Sequence, residues 1–416
     1  MKKLLTVTLF SGLLTLMRML SGFIIAKVVA IYTGPGGIAM LGQVQSLVGA
    51  LAGVVSAPAG SGVVRYTAEN KHAGFSACAP WWKAALKWTV LLLAVLIPTA
   101  CVCAKPLARW IFGDVDYFWL VMMATLALPL SAANNLIASV LNGQQLYRRF
   151  IGLGMLSVLI ATAVMVILVI KVRLNGAMIA ATLFSSISGV VMLLGVVREP
   201  WFRLRYWWGR TERAKLTAIG GYVAMAVTSA LTAPVALLMV RNVLVERLGW
   251  EQAGQWQAVW KISEVYLSVL TVALSTYFLP KLATLDSSES ILKEIKATAR
   301  IVMPIVVILA VFVFLLRDLA IDLIFTEAFR PARDLFSIQL IGDVLKILSW
   351  LYAYPMLSRG ATKWFIGAEV VFSASFVVLV YFLVPKYGVQ GANIAYTLNY
   401  FAYFIFAYVN VKRFSR

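Results

Sequence analysis

A chain of 416 residues that is 62% hydrophobic and only 13% charged cannot hide its apolar side chains in one water-soluble core, because soluble domains carry about a quarter charged residues. Its net charge of +20 would suit nucleic acid, but the basic residues gather at one set of ends of long apolar runs, which is the positive-inside pattern of a membrane protein. One histidine and three cysteines leave no histidine metal cluster and no disulfide framework, and no G-x-x-x-x-G-K-[ST] motif supplies an ATP-driven engine.

Apolar runs near 5–30, 38–62, 81–104, 117–141, 150–171, 175–197, 217–240, 255–280, 297–316, 334–357, 364–385 and 391–411 each approach the ~20 residues needed to cross a bilayer core, which predicts an all-α polytopic protein of about twelve transmembrane helices. The opening MKKLL is basic, but the run after it is too long for a signal-peptide core and has no A-x-A-like cleavage site, so it reads as a retained span. An even number of spans puts both termini on one side. Lys2, Lys3, Arg65, Lys71, Arg148, Arg149, Arg198, Arg203, Arg205, Arg210, Lys412, Arg413 and Arg416 all fall on that side, which makes it cytoplasmic. The stretch REPWFRLRYWWGRTERAK (198–215) mixes arginine with aromatics as an RNA-binding segment does, yet its place between two spans reads as an interfacial segment resting on anionic lipid.

The chain also repeats itself. GAMIA (176–180) answers GANIA (391–395), and FIG (150–152) answers FIG (365–367), both at a shift of 215 residues; WIFGD (110–114) matches LIFTE (323–327) at a nearby shift. This predicts a six-helix lobe at 1–197, a cytoplasmic connection at 198–216 and a second six-helix lobe at 217–416, parallel repeats about a central cavity. Prolines 98, 129, 234 and 304 fall within spans, where each removes a backbone donor and permits a kink.

Charged residues inside spans are the candidate functional groups, since each costs roughly 2.5–3.5 kcal/mol at the bilayer centre unless it is paired or faces water. Lys261 with Glu264, and Asp343 with Lys346, are spaced i, i+3 and can meet on one helix face. Two readings stay open for them, self-neutralising pairs that serve packing, or carboxylates in a wet cavity that bind a coupling cation, with Glu369 a third such carboxylate. Arg18 has no acidic neighbour on its own helix; its fork suits a diphosphate, and an interhelical pair with Asp343 or Glu369 is the alternative. Lys27 lies about half a turn out of phase with Arg18 and is placed at the rim. Trp256, Gln257, Trp260 and Tyr266 form the mixture of amide, hydroxyl and flat ring that binds sugars, and interfacial aromatic belts read the same way. No loop is long enough to house a soluble catalytic region, so no enzyme is expected.

The strings GPGGIAMLGQVQSL (34–47), GQWQAVWKISEVYL (254–267), YFLPKL (277–282), LLRDLAIDLIF (315–325) and ARDLFSIQLIGDVLKI (332–347) resemble the Wzx-type flippases of lipid-linked oligosaccharides, the enterobacterial common antigen (lipid III) and O-antigen flippases above all. The resemblance implies the fold of the multidrug/oligosaccharidyl-lipid/polysaccharide exporters. It implies transfer of an undecaprenyl-diphosphate oligosaccharide from the cytoplasmic to the periplasmic leaflet of the bacterial inner membrane, by alternating access driven by a proton or sodium gradient and without a cofactor. A complex with a polysaccharide polymerase and a chain-length regulator is compatible with it. The family's interior charges would fall on Arg18, Lys27, Lys261, Glu264, Asp343 and Lys346. A drug or cation antiporter of the same fold is the competing reading.

Overall fold

The computed structural model describes residues 2–285 and 287–414, apart from the side chains of 2–9, 11 and 276. The charges of Lys2, Lys3 and Arg416, counted above toward the cytoplasmic side, therefore lie outside the described residues. Among the described residues the chain is helical with no strand: α1 (Lys2–Ser56), α2 (Ser61–Asn70), α3 (Phe75–Val102), α4 (Ala104–Phe112), α5 (Phe118–Leu126), α6 (Leu128–Gly143), α7 (Tyr147–Val196), α8 (Leu204–Trp207), α9 (Arg213–Leu248), α10 (Trp250–Ala273), α11 (Leu279–Ala283), α12 (Ser288–Leu315), α13 (Arg317–Ile324), α14 (Phe336–Ser358), α15 (Thr362–Tyr387) and α16 (Gln390–Phe414). It is an all-α polytopic membrane protein.

Nine helical stretches among the described residues are long and apolar enough to span a membrane. Two of them each contain two expected spans. A straight helix as long as α1, with its 55 residues, would measure about 80 Å against a hydrocarbon core about 30 Å thick. It is broken at Gly34, whose φ of 65° and ψ of −166° belong to a region that only glycine occupies readily, and Pro35 follows it. The 50 residues of α7 break in the same way at Arg173, φ 51°. The expected eighth span is α10, which falls outside the nine because Gln257, Lys261, Ser263 and Glu264 make it too polar.

The chain forms two compact units, Met1–Tyr32 with Leu41–Val235, and Thr33–Met40 with Ala236–Arg416. In the first, Val63, Trp82, Leu136, Val140, Leu141, Val196 and Trp201 form a dry core. In the second, Phe278, Leu282, Ile291, Ile295, Leu351 and Met356 do. Large apolar side chains such as Val102, Ile308, Leu315 and Val409 are turned outward, as lipid-facing positions require and a water-facing surface would not tolerate in such number. Short segment Thr33–Met40 packs with the second unit because Gly254 of α10 lets it come close: a Cβ on Gly254 would stand 2.0 Å from the Pro35 carbonyl oxygen.

The repeat seen in the sequence is also a repeat of local structure. A Cβ on Gly176 would meet the Leu168 carbonyl oxygen at 2.0 Å, and one on Gly391 would meet that of Leu383 at 2.5 Å. Both members of each pair are 215 residues apart. Each unit thus folds its GAMIA or GANIA helix back on the preceding one through the same glycine.

Candidate functional site

In the first unit a cavity of about 710 Å³ is lined by α1, α6 and α7. From α1 come Arg18, Ser21, Gly22 and Ile25, spaced i, i+3, i+4 and i+7 and so on one helix face. Ala181, Phe184, Ser185 and Ser188 present the equivalent face of α7, while α6 adds Asn134 and Asn135. Neighbouring hydroxyls tie the wall together: Ser131 and Ser185 share a hydrogen bond of 2.7 Å, Ser21 bonds with Thr162, and Asn135 donates to Ser56 Oγ at 2.8 Å. Among the described residues Arg18 is the sole charged residue lining this cavity, and its guanidinium makes no hydrogen bond or ion pair with them. Lys27 is half-buried and lies off the cavity wall. The α1 face explains why: nine residues of helix turn it to the other side.

In the second unit the interior is filled with charge. Asp343 of α14 is fully buried, and four side chains donate to its carboxylate. Ser263 and Tyr266 of α10 reach Oδ2 at 2.7 and 2.6 Å, Tyr396 of α16 reaches Oδ1 at 2.8 Å and Gln339 reaches Oδ1 at 3.3 Å. Three helices therefore converge on one carboxylate. Gly342 is the reason that Tyr396 can approach: a Cβ there would be 2.3 Å from the tyrosine ring.

Lys346, one turn beyond Asp343, was expected to pair with it. No ion pair joins them among the described residues. The four neutral donors already satisfy the carboxylate, and the ammonium sits instead among four rings, 5.6 Å from Trp260, 5.1 Å from Trp350, 5.8 Å from Tyr396 and 5.5 Å from Tyr400. Ring faces attract a cation by their quadrupole. Tyr396 thus serves both charges, its hydroxyl to the anion and its face to the cation.

Lys261 and Glu264 do meet as the spacing predicts, at 3.4 Å, and the Glu264 side chain is 43% exposed. Trp260 Nε1 donates to the same carboxylate at 3.1 Å, and the fully buried Arg241 of α9 adds a further nearby positive charge. Glu369 of α15 lines a separate pocket of about 200 Å³ with Trp350, Tyr354 and Tyr403. The sugar candidates are packed inside the second unit. Trp256, Gln257 and Trp260 are buried in the helical packing with Trp256 and Trp260 ring centroids 5.1 Å apart, and Tyr266 is committed to Asp343. Contact with a sugar would require them to leave that packing.

The repeat register places different side chains on equivalent helix faces of the two units. At the shift of 215 residues that sets Gly391 on Gly176, Tyr396, Tyr400 and Tyr403 correspond to Ala181, Ser185 and Ser188. The same helix face carries three rings in α16 and three small side chains at the cavity wall in α7. Spacing within spans singled out the charged groups; Arg241, Tyr396, Asn134, Ser185 and Ser188 escaped it, although the aligned repeat holds the signal for the last two and for Tyr396.

A family model described as polysaccharide biosynthesis protein matches residues 83–334. Lipid III flippase of Escherichia coli (strain K12) is 27% identical over 409 residues, 95% of each chain, and lipid III flippase of Shigella flexneri is equally similar. Among solved structures, the inward-facing conformation of a multidrug resistance MATE family transporter of the MOP superfamily is 16% identical with a TM-score of 0.68 over 96% of this chain and 95% of that one. A MOP superfamily transporter from Pyrococcus furiosus, 15% identical, gives 0.60 over 97% and 96%. The fold is that of the MOP superfamily, and the resemblance to Wzx-type flippases that the sequence strings carried is sustained over nearly the whole chain. Because the matched segment makes up more than half of its length, the chain belongs to the polysaccharide biosynthesis protein family.

Proposed function

We propose that the protein flips a lipid-linked oligosaccharide, an undecaprenyl-diphosphate repeat unit, from the cytoplasmic to the periplasmic leaflet of the bacterial inner membrane, with both termini cytoplasmic. The observation that carries this reading is Arg18, a guanidinium without a partner among the described residues on the wall of a 710 Å³ cavity whose other described polar groups are amides and hydroxyls. A planar fork of donors matches the oxygens of a diphosphate. Amides and hydroxyls such as Asn134 and Ser188 match sugar hydroxyls, and neither group can cross hydrocarbon unaided. The flippase relatives support the same substrate class. Movement is alternating access, and the protein makes and breaks no covalent bond.

Ion coupling belongs to the second unit. Glu264 is the carboxylate that an incoming proton or sodium ion can reach, being partly exposed beside Lys261. Asp343, buried beneath four donors, holds α10, α14 and α16 in register. A cation arriving at Glu264 shifts the balance between states only by its differential affinity for them. A drug or cation antiporter of the same fold also uses carboxylates, but a cavity whose one charge is Arg18 repels cations.

Deleting the protein in its native host and extracting lipids tests the reading. The expected result is accumulation of one undecaprenyl-diphosphate repeat on the cytoplasmic side, relieved by wild-type protein, incompletely by Arg18→Lys and not by Arg18→Ala. No accumulation, with altered drug or cation resistance, would replace it by the antiporter reading.

A further inference from the structure

The segment between α7 and α9 holds both buried and exposed side chains. Trp201 and Tyr206 are buried against α3, with Trp201 6.0 Å and Trp207 5.6 Å from the Trp82 ring and Tyr206 6.0 Å from Phe75. These rings fix the segment to the first unit. Leu204 is 78% and Trp208 63% exposed, among the most exposed large apolar side chains described, and exposed Arg203, Arg210 and Arg213 lie in the same segment, while Arg205 is laid over the Tyr206 ring and donates to its hydroxyl at 2.6 Å. The nearby acidic side chains are already neutralised, Glu199 by Arg149 and Glu212 by Lys215 at 3.0 Å.

We infer that these exposed side chains form an anionic-lipid contact in which Leu204 and Trp208 enter the interfacial layer and the arginines bind phosphate headgroups. Two features favour lipid as the occupant. The segment begins where α7 ends at Val196 and finishes where α9 begins at Arg213, so the chain leaves and re-enters the membrane at its two ends and the headgroup layer lies at its level. An exposed indole among guanidinium groups also has the composition of an interfacial anchor, with apolar groups for the acyl boundary and cations for the negative surface. Tryptophan 207, stacked on Trp82, is not available for this role.

The full chain reconstituted in vesicles of phosphatidylcholine and phosphatidylglycerol tests the inference, with bromine atoms on the acyl chains of either lipid as quencher. The fluorescence lost between wild type and Trp208→Phe isolates the emission of Trp208. That component is expected to be quenched about twofold more by brominated phosphatidylglycerol than by brominated phosphatidylcholine. Combined Arg203→Gln, Arg210→Gln and Arg213→Gln should abolish the preference and leave the quenching by both lipids. Quenching by aqueous iodide but by neither lipid would overturn the inference in favour of a water-facing surface open to a soluble partner. Equal quenching by the two lipids in the wild type would overturn the headgroup assignment. The readout involves neither Arg18 nor transport, so it stands or falls separately from the flippase reading.

Discussion

Tyr396 links the buried Asp343 to the half-buried Lys346, because one residue supplies a hydroxyl to Asp343 at 2.8 Å and a ring face to Lys346. Its replacement by phenylalanine separates the two contributions. The ring and its cation contact persist while one donor to a charged group is lost, a change worth about 1.5–3 kcal/mol for such hydrogen bonds. Thermal unfolding in detergent should therefore show a lowered midpoint for Tyr396→Phe, and an unchanged midpoint would mean that the hydroxyl contributes nothing to holding α16. Gly342→Ala acts on the same contact from the other side. Its Cβ would be 2.3 Å from the Tyr396 ring, and forced overpacking costs about 1–3 kcal/mol or more, so it should destabilise at least as much as Tyr396→Phe. Sequence spacing singled out Asp343 and Lys346 but paired them with each other. On one helix, i and i+3 are the only neighbours visible, whereas the donors from Ser263, Tyr266 and Tyr396 come from helices 80, 77 and 53 residues away. Arg18 stood out because a lone guanidinium in an apolar run is costly. Asn134, Ser185 and Ser188 did not, because amides and hydroxyls are common in transmembrane helices.

At the scale of the element, α10 supplies two of the four donors to Asp343 as well as the Lys261–Glu264 pair, and its position depends on a glycine. Gly254 faces the Pro35 carbonyl oxygen so closely that a methyl group would sit at 2.0 Å from it, a contact that rigid backbone on both sides cannot relieve. Gly254→Ala should displace α10 or segment Thr33–Met40 and reduce the yield of folded protein in the membrane. Gly221→Ala, where a Cβ meets nothing within 4 Å, provides the matched control; equal yields for the two would show that the close approach is dispensable. The helical spans were legible from the apolar runs, and the interruption in α1 from Gly34 followed by Pro35. The break in α7 was placed by the boundary between two runs rather than by any residue type, since arginine at φ 51° leaves no signature. The run at 255–280 was read as a span, although α10 is too polar to stand among the nine apolar stretches.

For the whole molecule, duplication followed by divergence is the simplest account of two units with one helical register and different side chains on the matching faces. A duplicated helix face that holds Tyr396, Tyr400 and Tyr403 in α16 holds Ala181, Ser185 and Ser188 in α7, and the volume not taken by rings is the cavity beside Arg18. It follows that tyrosines placed back at the α7 positions should close the cavity while suiting the helix, since aromatic side chains are tolerated at the same register in α16. Ala181→Tyr with Ser185→Tyr is expected to reach the membrane at wild-type level and to lose repeat-unit transport, measured as accumulation of the lipid-linked intermediate on the cytoplasmic side. The same pair would leave the Asp343 network untouched, because every donor to that carboxylate belongs to the second unit. Full transport by a well-inserted double variant would show that the substrate does not pass through the cavity beside Arg18, and the diphosphate would then have to be held by other cations, with Lys261 and Lys346 the first to test.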